Sequence, residues 1–225
     1  MKRLHQLLKS ERPLKWLFSG DSITHGSVHT FGARDYSELF SERLRTELRR
    51  PRDLVIKTAI SGHTTNELLA DFEWRHEQFR PDVAFVMIGM NDCNAAQRIS
   101  REKFKANLVE LCRRLAAVPS LAVLQTTCPI LPGTAPEREP SFPAFMETIR
   151  ETAAELRLPL VDHTRHWEAL NQKTPGVHAY WMNNAFHPNA YGHRMFAELL
   201  YRELGIWNPA ESSCRFFRPG PSNGS

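Results

Sequence analysis

The sequence lacks the features that mark several classes of protein. Its cysteines form no C-x-x-C pair and no spacing typical of a disulfide framework, which predicts four reduced, mostly buried thiols in an intracellular protein: Cys93, Cys112, Cys128 and Cys214. No apolar run approaches the ~18 residues that suggest a membrane span. Residues 1–8 are charged and lack the long apolar segment of a signal peptide. These absences favour a cytoplasmic protein without a membrane partner.

Charge of one sign is not concentrated in any long segment. The net charge is +4, and the arginines are interspersed with acids apart from short clusters such as 49–52. Because nucleic-acid binders more often carry a contiguous basic face, no nucleic-acid partner is expected. The chain has 225 residues, 41% of them hydrophobic, which is enough for one core. We expect a single domain over residues 1–208 and a polar, loosely ordered tail over 209–225.

Strand-like and helix-like segments alternate along the chain. Short apolar runs predict five strands, at 14–18, 54–60, 82–88, 121–126 and 158–161. Helical patterns fall at 3–10, 35–50, from the 61–65 turn towards 79, and at 103–117, 145–156 and 187–204. Residues 128–143 are proline-rich and predict a long surface loop, and an irregular aromatic stretch precedes the last helix. The alternation predicts an α/β domain with a mainly parallel sheet.

Small polar residues follow four of these strands. They are Ser22, Gly62, Asn91 and Asp162, each at a predicted carboxyl end. In parallel α/β sheets, sites form beyond the carboxyl ends of the strands. The sequence therefore predicts a functional site at this edge of the sheet.

These positions include the groups that a hydrolytic serine requires. Ser22 lies at a strand-ending turn, where a serine can be a nucleophile or only the cap of the next helix. His187 can accept its proton, and Asn184, three residues earlier, can face the same imidazole. The backbone N–H of Gly62 and the side-chain amide of Asn91 would form an oxyanion hole with the N–H of Ser22.

The ordered set of motifs resembles the SGNH hydrolase superfamily, also called GDSL-type esterases and lipases. Its blocks are Gly20-Asp21-Ser22-Ile23-Thr24, Gly62, Gly89-Met90-Asn91-Asp92 and Asn184-Ala185-Phe186-His187-Pro188-Asn189. The resemblance implies a flavodoxin-like three-layer α/β/α sandwich with a five-stranded, mainly parallel sheet. It also implies an ester hydrolase that needs no cofactor or metal. Ser22 would be the nucleophile, His187 the base, and Ser22, Gly62 and Asn91 the oxyanion hole.

An α/β-hydrolase is the alternative serine hydrolase. That fold requires G-x-S-x-G around the nucleophile. Thr24 occupies the place of the second glycine, so this alternative is disfavoured.

One residue departs from the family pattern, because Asn184 stands where the family has aspartate. In a serine protease, the corresponding Asp→Asn substitution lowers turnover by roughly 10⁴-fold. Three hypotheses account for Asn184. The first, which we favour, is an active-site variant with reduced turnover. In the second, a Ser–His dyad is oriented by a backbone carbonyl or by another carboxylate such as Asp162. In the third, the protein binds an acylated ligand without hydrolysing it.

A small-molecule or carbohydrate ester is the expected substrate, with removal of acetyl from a carbohydrate as the main hypothesis. Support comes from the absence of a long apolar lid and from aromatic residues that either pack the core or line the site: Trp167, Tyr180, Trp181 and Phe186. The alternatives are a lysophospholipase or thioesterase acting on lipid acyl groups, an acyltransferase, and a binding protein. A metal at His163-x-x-His166 is disfavoured because no further ligand has suitable spacing.

Overall fold

One sheet of five parallel strands runs through the middle of the molecule. The computed structural model describes residues 2–216, and its strands are β1 (Lys15–Gly20), β2 (Leu54–Lys57), β3 (Val83–Met87), β4 (Leu121–Gln125) and β5 (Leu160–Val161). Their order across the sheet is β2-β1-β3-β4-β5, and every pairing is parallel. This is the flavodoxin-like order. The predicted α/β class with five strands is confirmed.

Helices cover both faces of this sheet. They are α1 (Lys2–Leu8), α2 (Ser22–His25), α3 (Tyr36–Thr46), α4 (Thr65–Ala70), α5 (Phe72–Arg75), α6 (Arg101–Ala117), α7 (Phe142–Glu155), α8 (His163–Lys173), α9 (Val177–Tyr180) and α10 (Ala190–Glu203). α3 and α10 pack together on one face, while α4, α6 and α7 pack in series on the other. The result is the three-layer sandwich that the sequence motifs imply.

The central strand is buried along its whole length. All residues of β3 are buried, which explains why 83–88 is continuously apolar rather than alternating. The ring of Phe85 stacks on Phe18 of β1 with a centroid distance of 4.7 Å. Phe40 of α3 packs edge-on against Phe85 and Trp16. This aromatic cluster joins α3 to the strand pair whose carboxyl ends carry the site.

The helix predicted to run towards residue 79 is interrupted in the structure. It forms α4, α5 and a 3-10 turn at Glu77–Phe79, with Asp71 between the first two. The interruption accompanies an inward turn of Arg75, which is fully buried. Its guanidinium donates to the carbonyl oxygen of Thr58 at 2.9 Å and to that of Gly20 at 2.8 Å. Amphipathic periodicity does not reveal such a break, because its cause lies in distant strands.

α8 occupies part of the stretch predicted to be irregular. Asp162 caps its start by accepting a hydrogen bond from the N–H of Arg165 at 3.2 Å. Trp167 is fully buried and anchors the helix in the core. α7 begins at Phe142, earlier than predicted, because Pro143 fits the first turn of a helix.

The domain boundary at residue 208 stays a prediction. Part of the predicted tail, within residues 211–216, contacts the rest of the domain. Glu211 forms an ion pair with the buried Arg43, and the N–H of Ser213 donates to Glu47 at 3.1 Å. Cys214 is buried in a 3-10 turn at Ser212–Cys214. The remainder of the predicted tail, 217–225, lies outside the described residues.

All four cysteines are free and buried, as predicted. Across residues 2–216, no helix combines the length and the apolar character that crossing a membrane requires.

Candidate active site

Ser22 lies at a sharp turn between β1 and the short helix α2 and is 7% exposed. Asp21 caps that helix by accepting a hydrogen bond from the N–H of Ile23 at 2.9 Å. Gly20 lies so close to β3 that a Cβ atom would sit 2.1 Å from the carbonyl oxygen of Met87. Only glycine fits there. The close approach of Gly20 to β3 sets where β1 ends and therefore where Ser22 lies.

Gly62 and Asn91 lie beyond the carboxyl ends of the two strands beside β1. Gly62 adopts a left-handed conformation with φ of +83°, and a Cβ there would meet no atom within 4 Å. Glycine is therefore required at position 62 by the backbone conformation rather than by lack of space. The side-chain amide of Asn91 donates to the carbonyl oxygen of His63 at 3.0 Å. This bond ties Asn91 to the Gly62 turn.

The N–H groups near this turn are available to a ligand. Among residues 2–216, no group accepts a hydrogen bond from the N–H of Ser22 or of Gly62. N–H groups without a partner are suited to a developing negative charge on oxygen.

His187 lies directly against the serine. Its Nε2 is 2.8 Å from Ser22 Oγ, and its Nδ1 is 3.0 Å from Asn184 Oδ1. An imidazole with Nδ1–H donating to Asn184 has a free lone pair on Nε2 and can accept the hydroxyl proton. The sequence places His187 at the start of the last helix, whereas α10 begins at Ala190. Asn189 caps it by accepting from the N–H of Tyr191 at 2.9 Å.

The amide of Asn184 is held in one orientation by the backbone. Its Oδ1 accepts from the N–H of His187 at 3.0 Å and from the N–H of Phe186 at 3.3 Å. A flipped amide would point its own NH₂ at these two donors, which is unfavourable. The oxygen therefore faces His187 Nδ1 and selects the Nδ1–H tautomer. What the amide lacks, compared with a carboxylate, is charge.

The surroundings of His187 oppose its protonation. Burial, followed by the nearby His29, Arg138 and His193, lowers the pKa of His187 to about 4. No carboxylate is among the groups that act on it. The imidazole is therefore neutral at neutral pH and available as a base, but its imidazolium form is poorly stabilised.

Two buried carboxylates hold the turns around the serine. Burial raises the pKa of Asp21 to about 7 and that of Asp92 to about 6. Asp92 accepts from the N–H of Thr65 at 2.9 Å and also from its hydroxyl, which fixes the start of α4. Both aspartates thus support turns beside the serine.

Arg75 is a supporting residue that sequence reasoning missed. Besides the carbonyls of Gly20 and Thr58, its guanidinium lies 3.0 Å from Nδ1 of His63. It therefore joins the end of β1 to the segment that carries Gly62. An arginine inside a helical segment gives no signal in sequence that its side chain is buried.

His29 is a second residue that the sequence analysis did not identify. Its ring stacks on His187 with a centroid distance of 3.6 Å and an interplanar angle of 9°. Asn183 holds it through a 3.0 Å hydrogen bond to Nδ1. His29 lies in a loop without periodicity, so no spacing rule identifies it.

Asp162 lies in a separate network. Arg150 contacts both of its carboxylate oxygens, at 2.7 and 3.0 Å, and Thr126 donates to it at 3.0 Å. It is therefore not the carboxylate that orients His187. The hypothesis of a dyad oriented by Asp162 is wrong.

The other sequence candidates divide between the core and the site. Trp167 and Trp181 are buried core residues, whereas Tyr180 is exposed. Phe186 lies against His187 at a centroid distance of 4.6 Å. His163 Nε2 is 3.0 Å from Gln125 Oε1. No group of three or more possible metal ligands occurs within residues 2–216.

The sequence matches a family model and is similar to individual proteins. Residues 18–195 match the family model of the GDSL-like Lipase/Acylhydrolase family. The lipoprotein YqeF of Bacillus subtilis is 26% identical over 172 residues, which are 66% of this chain and 70% of that protein. A Mycoplasma pneumoniae protein is 36% identical over 111 residues, 48% of this chain. The match spans only 12% of that longer protein.

Solved structures share the fold. A catalytic mutant of Axe2, an acetylxylan esterase from Geobacillus stearothermophilus, superposes with a TM-score of 0.74 at 22% identity, covering 86% of this chain and 94% of Axe2. LAE5, an alpha/beta hydrolase enzyme from the metagenome of Lake Arreo in Spain, gives a TM-score of 0.74 at 23% identity, with coverages of 87% and 96%. The family match over most of the domain decides the relationship. The chain belongs to the GDSL-like lipase/acylhydrolase family.

Proposed function

We propose that the protein hydrolyses carboxylic esters through an acyl-enzyme formed on Ser22. The observation that carries this proposal is the 2.8 Å contact between Ser22 Oγ and His187 Nε2, with Nδ1 directed onto Asn184. Ser22 Oγ attacks the ester carbonyl carbon while His187 takes the hydroxyl proton. The tetrahedral intermediate then breaks its C–O bond, and His187 returns the proton to the leaving alcohol. Water, deprotonated by His187, releases the acid and restores Ser22.

The negative charge of the intermediate needs donors beside Ser22. The free N–H groups of Ser22 and Gly62 and the side-chain amide of Asn91 are our candidates for the oxyanion hole. Asn91 Nδ2 already donates to the carbonyl of His63, and its second N–H is the one assigned to the oxyanion.

Asn184 sets the rate in this proposal. The amide oxygen orients His187 but gives no charge to stabilise the imidazolium that forms in the transition state. We therefore propose a working hydrolase with lower turnover than a counterpart that carries aspartate. Variants of Axe2 described as catalytic mutants replace a serine, an aspartate and a histidine, the last two spaced three apart. The same spacing separates Asn184 from His187.

For the substrate we propose a small acyl ester of a carbohydrate, with acetyl as the acyl group. Support comes from the acetylxylan esterase Axe2, which shares the fold, and from the Phe186 ring beside His187, which suits stacking on a sugar. A lipid acyl ester is the second candidate. The observation favouring it is the exposure of Val28 and Phe31, which are 80% and 78% exposed in the loop that carries His29.

Covalent labelling tests whether Ser22 is a reactive nucleophile. Incubation with a serine-directed fluorophosphonate should modify Ser22, because His187 can remove its proton. Intact mass and peptide mapping would detect the adduct, and Ser22→Ala should abolish it. Absence of labelling in both the wild-type chain and Asn184→Asp would contradict hydrolysis and support a binding protein on the same fold.

Restoring a carboxylate at residue 184 tests the role of the amide. Asn184→Asp should raise kcat for a nitrophenyl ester by about 10- to 100-fold, the value of one hydrogen bond to a charged group. The negative charge should also raise the pKa of His187. Because the base must be neutral, the acid limb of kcat/KM should move upward from near pH 4.

Asn171→Asp is the matched control for this substitution. Asn171 Oδ1 also accepts from two backbone N–H groups, those of Gly176 and His178, at 3.1 and 3.2 Å. A carboxylate preserves both bonds, so kcat should stay within about twofold. Equal rates for Asn184→Asp and the wild-type chain would refute a rate limited by the missing charge.

Chain-length profiling separates the two substrate classes. With nitrophenyl esters and Asn184→Asp, kcat/KM should be highest for acetate and fall as the acyl chain lengthens. The rate of acetate release from an acetylated xylooligosaccharide should rise in proportion to the concentration of this enzyme. A clear preference for C8 or longer chains would instead support the lipid acyl hydrolase.

A further inference from the structure

The two hydrogen bonds of His187 leave one motion of its ring unrestrained. They join Nε2 to Ser22 and Nδ1 to Asn184, and both act at the edge of the imidazole. The ring can tilt about the line through its two nitrogens while both contacts persist at longer or bent geometry. A contact on the face of the ring is what prevents the tilt.

His29 supplies that face contact. Its ring is nearly parallel to His187, at 9°, with 3.6 Å between the centroids. The ring of His29 is itself fixed at its edge, because Asn183 donates to Nδ1 at 3.0 Å. Asn183 precedes Asn184 in the chain, so one short segment holds both the edge of His187 and the ring stacked on its face.

The loop around His29 has an unusual backbone. Val28 and Phe31 have φ values of +69° and +52°, a conformation that is uncommon for non-glycine residues and unfavourable for a β-branched one. Their side chains are exposed, so packing does not offset the free-energy cost of this conformation. Thr30, between His29 and Phe31, is buried and anchors the loop. The strained conformation thus presents His29 to the site, a pattern found where local strain has a function.

The electrostatics require His29 to be neutral in this role. Burial lowers the pKa of His29. Arg138 beside Phe186 opposes a positive charge on His187, and so do His29 on its face and His193 on α10 whenever they are protonated. A protonated His29 would add to this repulsion, whereas the neutral ring excludes water from one face of the base.

We propose that His29 is a positioning residue, which holds the plane of His187 against Ser22 by stacking and partly substitutes for the orienting power of the missing carboxylate. The inference rests on the proposed ester hydrolysis. Stacking by His29 would explain why a neutral amide at residue 184 is sufficient for turnover.

Substitution of His29 by three residues of different shape tests this role. His29→Ala and His29→Leu should lower kcat for a nitrophenyl ester by roughly 3- to 10-fold, the value of one aromatic contact. KM should change by less than about twofold, because His29 is assigned no substrate contact in this inference. His29→Phe restores a flat ring and should recover at least half of the kcat. Leucine fills the space without stacking, so it controls for volume.

The same substitutions in the Asn184→Asp background give the sharper result. A carboxylate holds the imidazole more strongly, so His29→Ala should there cost less than about twofold. Equal losses in both backgrounds, or a kcat for His29→Phe no better than that for His29→Leu, would overturn the inference. Thermal unfolding and fluorophosphonate labelling confirm that each variant is folded with a reactive Ser22.

Failure of the inference is distinguishable from failure of the proposed function. If Ser22→Ala abolishes hydrolysis and His29→Ala leaves kcat unchanged, the stacking role is wrong and the hydrolase stands. If Ser22→Ala leaves the rate unchanged, the measured hydrolysis does not occur at this site, and both proposals fall.

Discussion

The hydrogen bond between Ser22 and His187 depends on the meeting of two chain segments that are 165 residues apart. The parallel sheet brings them together, because the end of β1 and the segment before α10 lie at the same edge. Gly20 permits β1 to approach β3, and Arg75 ties the end of β1 to the segment that carries Gly62. Precise placement of two side chains therefore requires buried groups that never contact a ligand.

The tautomer of His187 rests on backbone geometry rather than on charge. An amide in place of a carboxylate usually fails for two reasons, which are the wrong tautomer and the loss of negative charge. In this protein two backbone N–H groups hold Asn184 Oδ1 towards the imidazole, which removes the first reason. The second remains, and the low pKa of His187 expresses it. We therefore expect a loss of turnover smaller than the serine-protease example suggests.

Much of the fold was predictable because its signals are local. Apolar runs located all five strands, and the positions of Ser22, Gly62 and Asn91 followed from the rule that sites form at carboxyl ends. The spacing of Asn184 and His187 predicted that these two side chains face each other, as they do in the structure. Arg75 and His29 were not predictable in this way. Their roles arise from contacts across the fold, and neither lies in a pattern of hydrophobicity or turn residues.

The tautomer of His187 tests this account most directly. Imidazole nitrogen chemical shifts of the ¹⁵N-labelled protein distinguish Nδ1–H from Nε2–H, with His187→Gln identifying the signal. We predict a neutral Nδ1–H imidazole at pH 7 that becomes charged only near pH 4. An Nε2–H imidazole at pH 7 would contradict the claim that the backbone-held amide of Asn184 orients the base.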